Sequence, residues 1–199
     1  AVVGAGPAGS CAAHRLAAAG LKVLLIEQRR SIGENIQCAE YVPQILKKHV
    51  VLRDADVAQN LLGIKTFIQG KLVQITRAPG FTLNRSSWEN HLANEAVRAG
   101  VRLMTGVRVT DAGSRTITMQ NGAGHATVTA DFIVGCDGPG SIISRKLGNK
   151  PAESCVAMQC EAVLTGPLEH AHIYFDPSFF GGYAWVFPKG TVANVGMAV

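Results

Sequence analysis

The sequence predicts an α/β chain. A parallel sheet flanked by helices carries a small antiparallel meander and is followed by part of a β-rich domain. Three observations carry that prediction. The chain opens as strand, glycine turn, helix and strand: Val2-Val3, Gly4-Ala5-Gly6-Pro7-Ala8-Gly9, an Ala- and Leu-rich stretch ended by Gly20, then Leu21 to Glu27. Another apolar strand, Asp131 to Cys136, comes much later and runs into Asp137-Gly138-Pro139-Gly140-Ser141. Beyond Pro151 the texture becomes β-rich and aromatic, with no helical pattern.

Each element follows from its residues. Gly20 stands where a helix C-cap needs a left-handed residue. Leu21 to Glu27 has no polar alternation beyond Lys22, the pattern of a strand covered on both faces. A right-handed crossover makes it a parallel neighbour of the first strand. A loop through Gly33 to Glu40 leads to a short helix at Pro43, and Leu61 to Ile75 reads as a hairpin turning at Gln69-Gly70. Ser86-Ser87-Trp88-Glu89 has the form of a capping box, opening a helix that Gly100 ends. Val101 to Val128 alternates β-rich segments with glycine turns, which predicts the meander. A helix from Ser141 to Gly148 closes the first domain. The expected division is 1–150, with inserted segments around 43–84, and 151–199 as the incomplete start of the second domain.

Composition narrows the function. At 199 residues and 47% hydrophobic the chain can bury one good core, or a core and a satellite sheet. Its net charge of +5 is scattered, so no basic stripe for nucleic acid is present. No apolar run is long enough to span a bilayer, and no signal peptide opens the chain. The five cysteines include no CxxC pair or His/Cys cluster with metal-ligand spacing. Reduced thiols in a cytoplasmic protein are the plain reading. The chain starts without Met inside one apolar strand and stops inside another, so a piece of a longer protein, cut at both ends, is expected.

The glycine run carries the first chemistry. It follows a strand and opens a helix, so backbone N–H groups and the positive helix end face a pyrophosphate. In this Rossmann-type unit Gly4 permits the tight turn, Gly6 lets the phosphate approach, and Gly9 lets helix pack on strand. Pro7 sits in the first helical turn, where its missing N–H costs nothing, and Ala8 follows it. Glu27, with Gln28 beside it, ends the second strand at the distance of an acid that bonds ribose hydroxyls. The competing reading is a chance turn with a solvated Glu27.

The long excursion from Gly33 to Cys136, returning to Asp137-Gly138, resembles the flavoprotein superfamily of aromatic hydroxylases and geranylgeranyl reductases. Asp137, Gly138, Ser141 and Arg145 match its DGxxS segment, and the step from Ser141 to Arg145 resembles the reductase branch. The resemblance implies FAD as cofactor, with Asp137 and Gly138 near its pyrophosphate, Arg85 reaching it, and the backbone of Val109 beside adenine. Asp137 as a helix cap and Arg85 as a surface residue are the competing readings. Asn35-Ile36-Gln37-Cys38-Ala39-Glu40 matches the place where geranylgeranyl reductases carry Cys-Gly-Glu, here with Ala39 for Gly. Cys38 is thereby the candidate catalytic group, an inert packing thiol being the alternative. No Gly-Asp pair, the superfamily's second flavin segment, occurs in the chain.

Tyr183, Trp185 and Phe187 recur at period two and share one strand face. That aromatic wall suits an apolar chain and resembles the YxWxFP motif that lines the prenyl cavity of geranylgeranyl reductases. Ordinary sheet core is the competing reading. The implied activity is reduction of carbon–carbon double bonds of prenyl lipids by hydride from reduced flavin, with electrons from NAD(P)H or ferredoxin. Peripheral association with a membrane follows from such a substrate. The rivals are an NAD(P)H- and O₂-dependent monooxygenase of aromatic or polyketide substrates, and a fragment that does not catalyse.

Overall fold

A computed structural model describes residues 1–122, 124–150 and 153–199. In chain order its first half forms β1 (Val2–Val3), α1 (Pro7–Ala18), β2 (Leu24–Ile26), β3 (Tyr41–Pro43), β4 (Val57–Leu61), β5 (Gly63–Ile68), β6 (Lys71–Thr76) and β7 (Gly80–Leu83). Then come α2 (Arg85–Arg98), β8 (Arg102–Met104), β9 (Arg108–Ala112), β10 (Thr116–Asn121), β11 (Gly124–Thr129), β12 (Val134–Gly135) and α3 (Ile142–Lys146). The last elements are β13 (Ala157–Val163), β14 (His170–Phe175), β15 (Tyr183–Lys189) and β16 (Val192–Ala198). A short 3₁₀ segment at Gln44–Lys48 takes the place expected for a helix at Pro43.

The chain divides into two compact units, Ala1–Ile36 with Ser86–Ala152 and Gln37–Arg85 with Glu153–Val199. The expected boundary at Pro151 lies outside the described residues. The segment anticipated as an insertion around 43–84 packs with the C-terminal strands, because β5 pairs with β14.

The first unit is built on a parallel sheet ordered β12-β1-β2-β8. Alternate residues of its strands enter opposite cores. Val2 and Leu25 pack with Ala13 of α1 and Ala96 of α2, whereas Val3 and Ile26 pack with Val109, Ile117, Met119 and Ile143. Both faces are covered, so Leu21 to Glu27 reads as a nearly continuous apolar run. Each long helix ends as its glycine foretells. Gly20 (φ 84°) donates to the Ala17 carbonyl and Leu21 to that of Leu16; Gly100 (φ 99°) and Val101 repeat the pattern on Val97 and Ala96.

Two boundaries differ from expectation. Residues 102–104 do not belong to the meander; α2 acts as a crossover and returns them as β8, parallel to β2. The antiparallel meander is β9-β10-β11, Arg108 to Thr129. The second helix begins at Arg85, so Ser86 lies inside its first turn and not at its cap.

In the second unit a six-stranded sheet runs β13-β16-β15-β14-β5-β6, beside a three-stranded sheet β3-β7-β4. The β5–β6 hairpin turns at Gln69 (φ 49°) and Gly70 (φ 75°), the paired positive φ values of a tight hairpin. Among the described residues no helix is long and apolar enough to cross a membrane.

Candidate functional site

The glycine turn of the first unit is tightly determined. Gly4 has φ 93°, and a Cβ there would lie 2.3 Å from the Cys136 carbonyl oxygen. A Cβ on Gly9 would fall 1.8 Å from the Gly4 oxygen, so α1 can close on β1 only with glycine at this position. Gly6 is different. It has ordinary φ, and a Cβ on it would meet nothing within 4 Å among the described residues. Gly6 is also the N-cap of α1, with no side chain capping the helix and Pro7 in the first turn. A helix start left in that state presents N–H groups and a positive end to an anion. Ala8, in the same turn, is exposed.

Glu27 is buried, and its carboxylate holds the turn directly. Oε2 accepts the Ala5 N–H at 2.8 Å and Oε1 accepts the Arg29 N–H at 2.8 Å. Each oxygen keeps a second lone pair for a ligand hydroxyl. Gln28 is exposed beside it, and Val109 is a core residue of the same unit.

Asp137 braces the start of α3. Its Oδ2 accepts the N–H groups of Ile142 (2.7 Å) and Ile143 (3.3 Å), and Oδ1 accepts the Ser141 hydroxyl at 2.5 Å. Ser141 in turn accepts the Ser144 N–H at 2.9 Å. The N-cap of α3 is therefore Ser141, with Asp137 bracing it from four residues before; the loop between them passes through the exposed Gly138 (φ 79°). Burial, then the charge of Asp137, pushes the neighbouring Cys136 thiol up, so that thiol stays protonated under the turn.

The second unit gathers the other candidates on one sheet face. In the register, Tyr183, Trp185 and Phe187 stand opposite Ala198, Gly196 and Asn194. Residues directly opposite on antiparallel strands share a face. Gly196 has no side chain where the indole lies: a Cβ there would be 2.4 Å from Cζ2 of Trp185. Trp185 and Phe187 are interior, packed with Leu61, Ala171, Ile173 and Tyr41, whereas Tyr183 is exposed and meets Phe175 at 6.0 Å between centroids. The Trp185 indole N–H has no hydrogen-bond partner among the described residues.

Cys38 lies against this face. Gln159, opposite Gly196 on β13, donates to the Cys38 carbonyl at 2.8 Å, and Asn194 donates to the Ala39 carbonyl at 3.1 Å. The Cys38 sulfur is half-buried and accepts the Glu40 N–H at 3.3 Å. Three residues that sequence reasoning passed over complete the arrangement: Glu40, Lys189 and Asn194. Their signal was faint, a charge or amide inside the CAE, FPKG and NVG runs. The backbone N–H of Arg85 donates to Glu40 Oε1 at 3.1 Å. Among the described residues no cluster of His, Cys, Asp or Glu could hold a metal ion.

A family model for an FAD binding domain matches residues 1–171. The chain belongs to that FAD binding domain family. Curated relatives similar to this FAD binding domain include the digeranylgeranylglycerophospholipid reductases of Methanosarcina acetivorans and Methanocaldococcus jannaschii. They are 34% and 32% identical over the whole chain, which covers 53% and 54% of them. The chain thus spans about half the length of the curated relatives it matches. A geranylgeranyl bacteriochlorophyll reductase-like protein of Thermoplasma acidophilum superposes with a TM-score of 0.89 at 27% identity, over 99% of this chain and 55% of that one. A flavin-dependent halogenase superposes at 0.77 and 21% identity, over 100% of this chain and 40% of that one, which is a likeness of fold.

The first unit fits FAD. The open space over Gly6, the uncapped start of α1 and the spare lone pairs of Glu27 match a pyrophosphate flanked by a ribose diol.

Proposed function

We propose that the full-length protein is an FAD-dependent reductase that saturates carbon–carbon double bonds in geranylgeranyl or related prenyl chains of lipids. The observation that carries this reading is the joining of the Tyr183-Trp185-Phe187 face to the Cys38–Glu40 segment on one side of one sheet. Reduced FAD is the hydride source, with electrons drawn from NAD(P)H or ferredoxin. Saturating an alkene also requires a proton on the second carbon. Cys38 Sγ is the group that gives it and is reprotonated from water.

In this reading Gly4, Gly6, Pro7, Ala8 and Gly9 receive the pyrophosphate, Glu27 and Gln28 the adenosine ribose, and Arg85, Val109, Asp137 and Gly138 the rest of the dinucleotide. Tyr183 and Phe175 offer open apolar surface to the chain, where each methylene buried is worth about 0.8 kcal/mol. Trp185 and Phe187 stiffen the wall behind them. In this reading the enzyme is cytoplasmic, and a membrane lipid as substrate brings it to the bilayer peripherally.

The test is a single-turnover experiment. Full-length enzyme, reduced anaerobically, is mixed with a geranylgeranyl lipid, and flavin absorbance and product mass are followed. The expected result is reoxidation without oxygen and a gain of two hydrogens per double bond. Trp185→Ala should slow that reoxidation far more than it lowers FAD content. A requirement for O₂ with an oxygen atom in the product would overturn the assignment.

A further inference from the structure

The Cys38-Ala39-Glu40 segment is anchored by more polar contacts than its size requires. Gln159 holds the Cys38 carbonyl, Asn194 the Ala39 carbonyl, and the Glu40 N–H the Cys38 sulfur. Glu40 itself is 5% exposed and has φ 70°, a left-handed backbone unfavourable for glutamate. Its Oε2 accepts Asn194 Nδ2 at 2.6 Å and lies 2.5 Å from Lys189 Nζ, while Oε1 accepts the Arg85 N–H. The Lys189 and Glu40 side chains are only 12% and 6% exposed. The ammonium also reaches the exposed Glu161 at 3.0 Å.

Stability alone does not account for this cluster. Burying an ion pair costs desolvation of both charges, and replacing the pair by apolar residues is often neutral or better. What such a pair does well is hold one geometry, because the carboxylate meets three directed donors and the ammonium two acceptors. The side-chain partners of Glu40 come from β15 and β16, with the Arg85 N–H at the start of α2 on the other carboxylate oxygen, and those of the Cys38 and Ala39 carbonyls come from β13 and β16. Strands adjacent in one sheet therefore fix three consecutive residues.

We propose that Glu40, Lys189 and Asn194 are positioning residues that lock the orientation of Cys38 Sγ. Its catalytic meaning rests on the proton-donor reading above; its geometry does not. Glu40→Gln removes the charge and keeps the shape. Lys189→Met strips its partner. Gln159→Met, on another strand, releases the Cys38 carbonyl with the ion pair intact.

In the full-length protein the alkylation rate of each cysteine by iodoacetamide is read by peptide mass spectrometry, with exposed Cys155 and Cys160 as internal references. Loss of an anchor, charge-assisted in Glu40→Gln and neutral in Gln159→Met, should make Cys38 react about tenfold and about fivefold faster respectively, with the references unchanged. Lys189→Arg should restore the wild-type rate. If Lys189→Met does not fold, the double variant Glu40→Gln/Lys189→Met, which leaves no lone buried charge, carries the same measurement.

Turnover supplies the second readout. Glu40→Gln should lower kcat with KM for the lipid unchanged, and should have no further effect once Cys38 is alanine. A Cys38 rate within about twofold of wild type in Glu40→Gln would overturn the clamp, whatever Gln159→Met does. Full turnover by Cys38→Ala would instead sink the proton-donor reading, and the alkylation rates would still decide the clamp.

Discussion

Replacing Glu27 by alanine should damage the fold of the glycine turn as well as its ligand affinity. The carboxylate accepts two backbone N–H groups, from Ala5 and Arg29, both at 2.8 Å. Ala5 is 1% exposed, so its N–H cannot turn to water when the acceptor goes. An orphaned buried donor costs about 1–3 kcal/mol, and the partly buried Arg29 N–H adds less. The sum is about 2–4 kcal/mol of stability in protein free of FAD. A domain of this size shifts roughly 2–4 °C per kcal/mol, so its Tm should fall by about 4–16 °C. FAD affinity should fall by a further 1–3 kcal/mol, roughly tenfold or more, through loss of the charged acceptor. Glu27→Gln should lie between, because the amide oxygen can keep one N–H while its NH₂ confronts the other. Differential scanning calorimetry of the apoprotein and a flavin fluorescence titration read the two effects separately. An apoprotein variant melting at the wild-type temperature would refute the reasoning, since the carboxylate would then serve the ligand alone.

The glycines of the turn should separate in the same assays. Gly9→Ala drives a Cβ into the Gly4 carbonyl and should destabilise the protein by about 1–3 kcal/mol, whereas Gly6→Ala should leave Tm nearly unchanged and weaken FAD binding. A Gly6 variant with unaltered affinity would show that the open space there is not the ligand's. Lys189 gives a pH signature. Burial alone would lower its pKa, but the bonds and charges of Glu40 and Glu161 more than reverse that and hold it above the ordinary 10.5. A raised folded pKa means stability that is complete below 10.5 and lost as pH climbs through the higher folded value. Chemical denaturation of wild type and Lys189→Met should therefore converge at strongly alkaline pH, and a constant gap would refute the linkage.

Much of the first unit was legible because its signals are local. Val2-Val3, the glycine run and Leu21 to Glu27 each specify an element and its neighbour, and Gly20 and Gly100 end helices by backbone chemistry alone. The pairing of β8 with β2 was not legible, since Arg102-Leu103-Met104 is too short to show a pattern and its partner is set by the α2 crossover. The period-two aromatics gave the shared face of β15. That Trp185 and Phe187 lie inside and Tyr183 outside depends on Tyr41, Leu61 and Ala171, remote in sequence. The ties from Glu40 to Lys189 and Asn194 were hidden for the same reason, with Asn194 and Glu40 154 positions apart.

The parallel pairing of β5 with β14 imposes an order on synthesis. Gln59, whose side chain bonds the Leu168 carbonyl, leaves the ribosome 109 residues before its partner. At roughly 5–20 residues per second that interval is about 5–20 s. During it the β5–β6 hairpin stands alone, and an isolated two-stranded hairpin is marginally stable in water. Among the described residues Ile68, Leu72, Val73 and Ile75 are exposed even with β14 in place, so the waiting hairpin shows an apolar surface beside an unpaired edge. Until Ala171 emerges to pair with Ile64, that surface and edge are open to other chains.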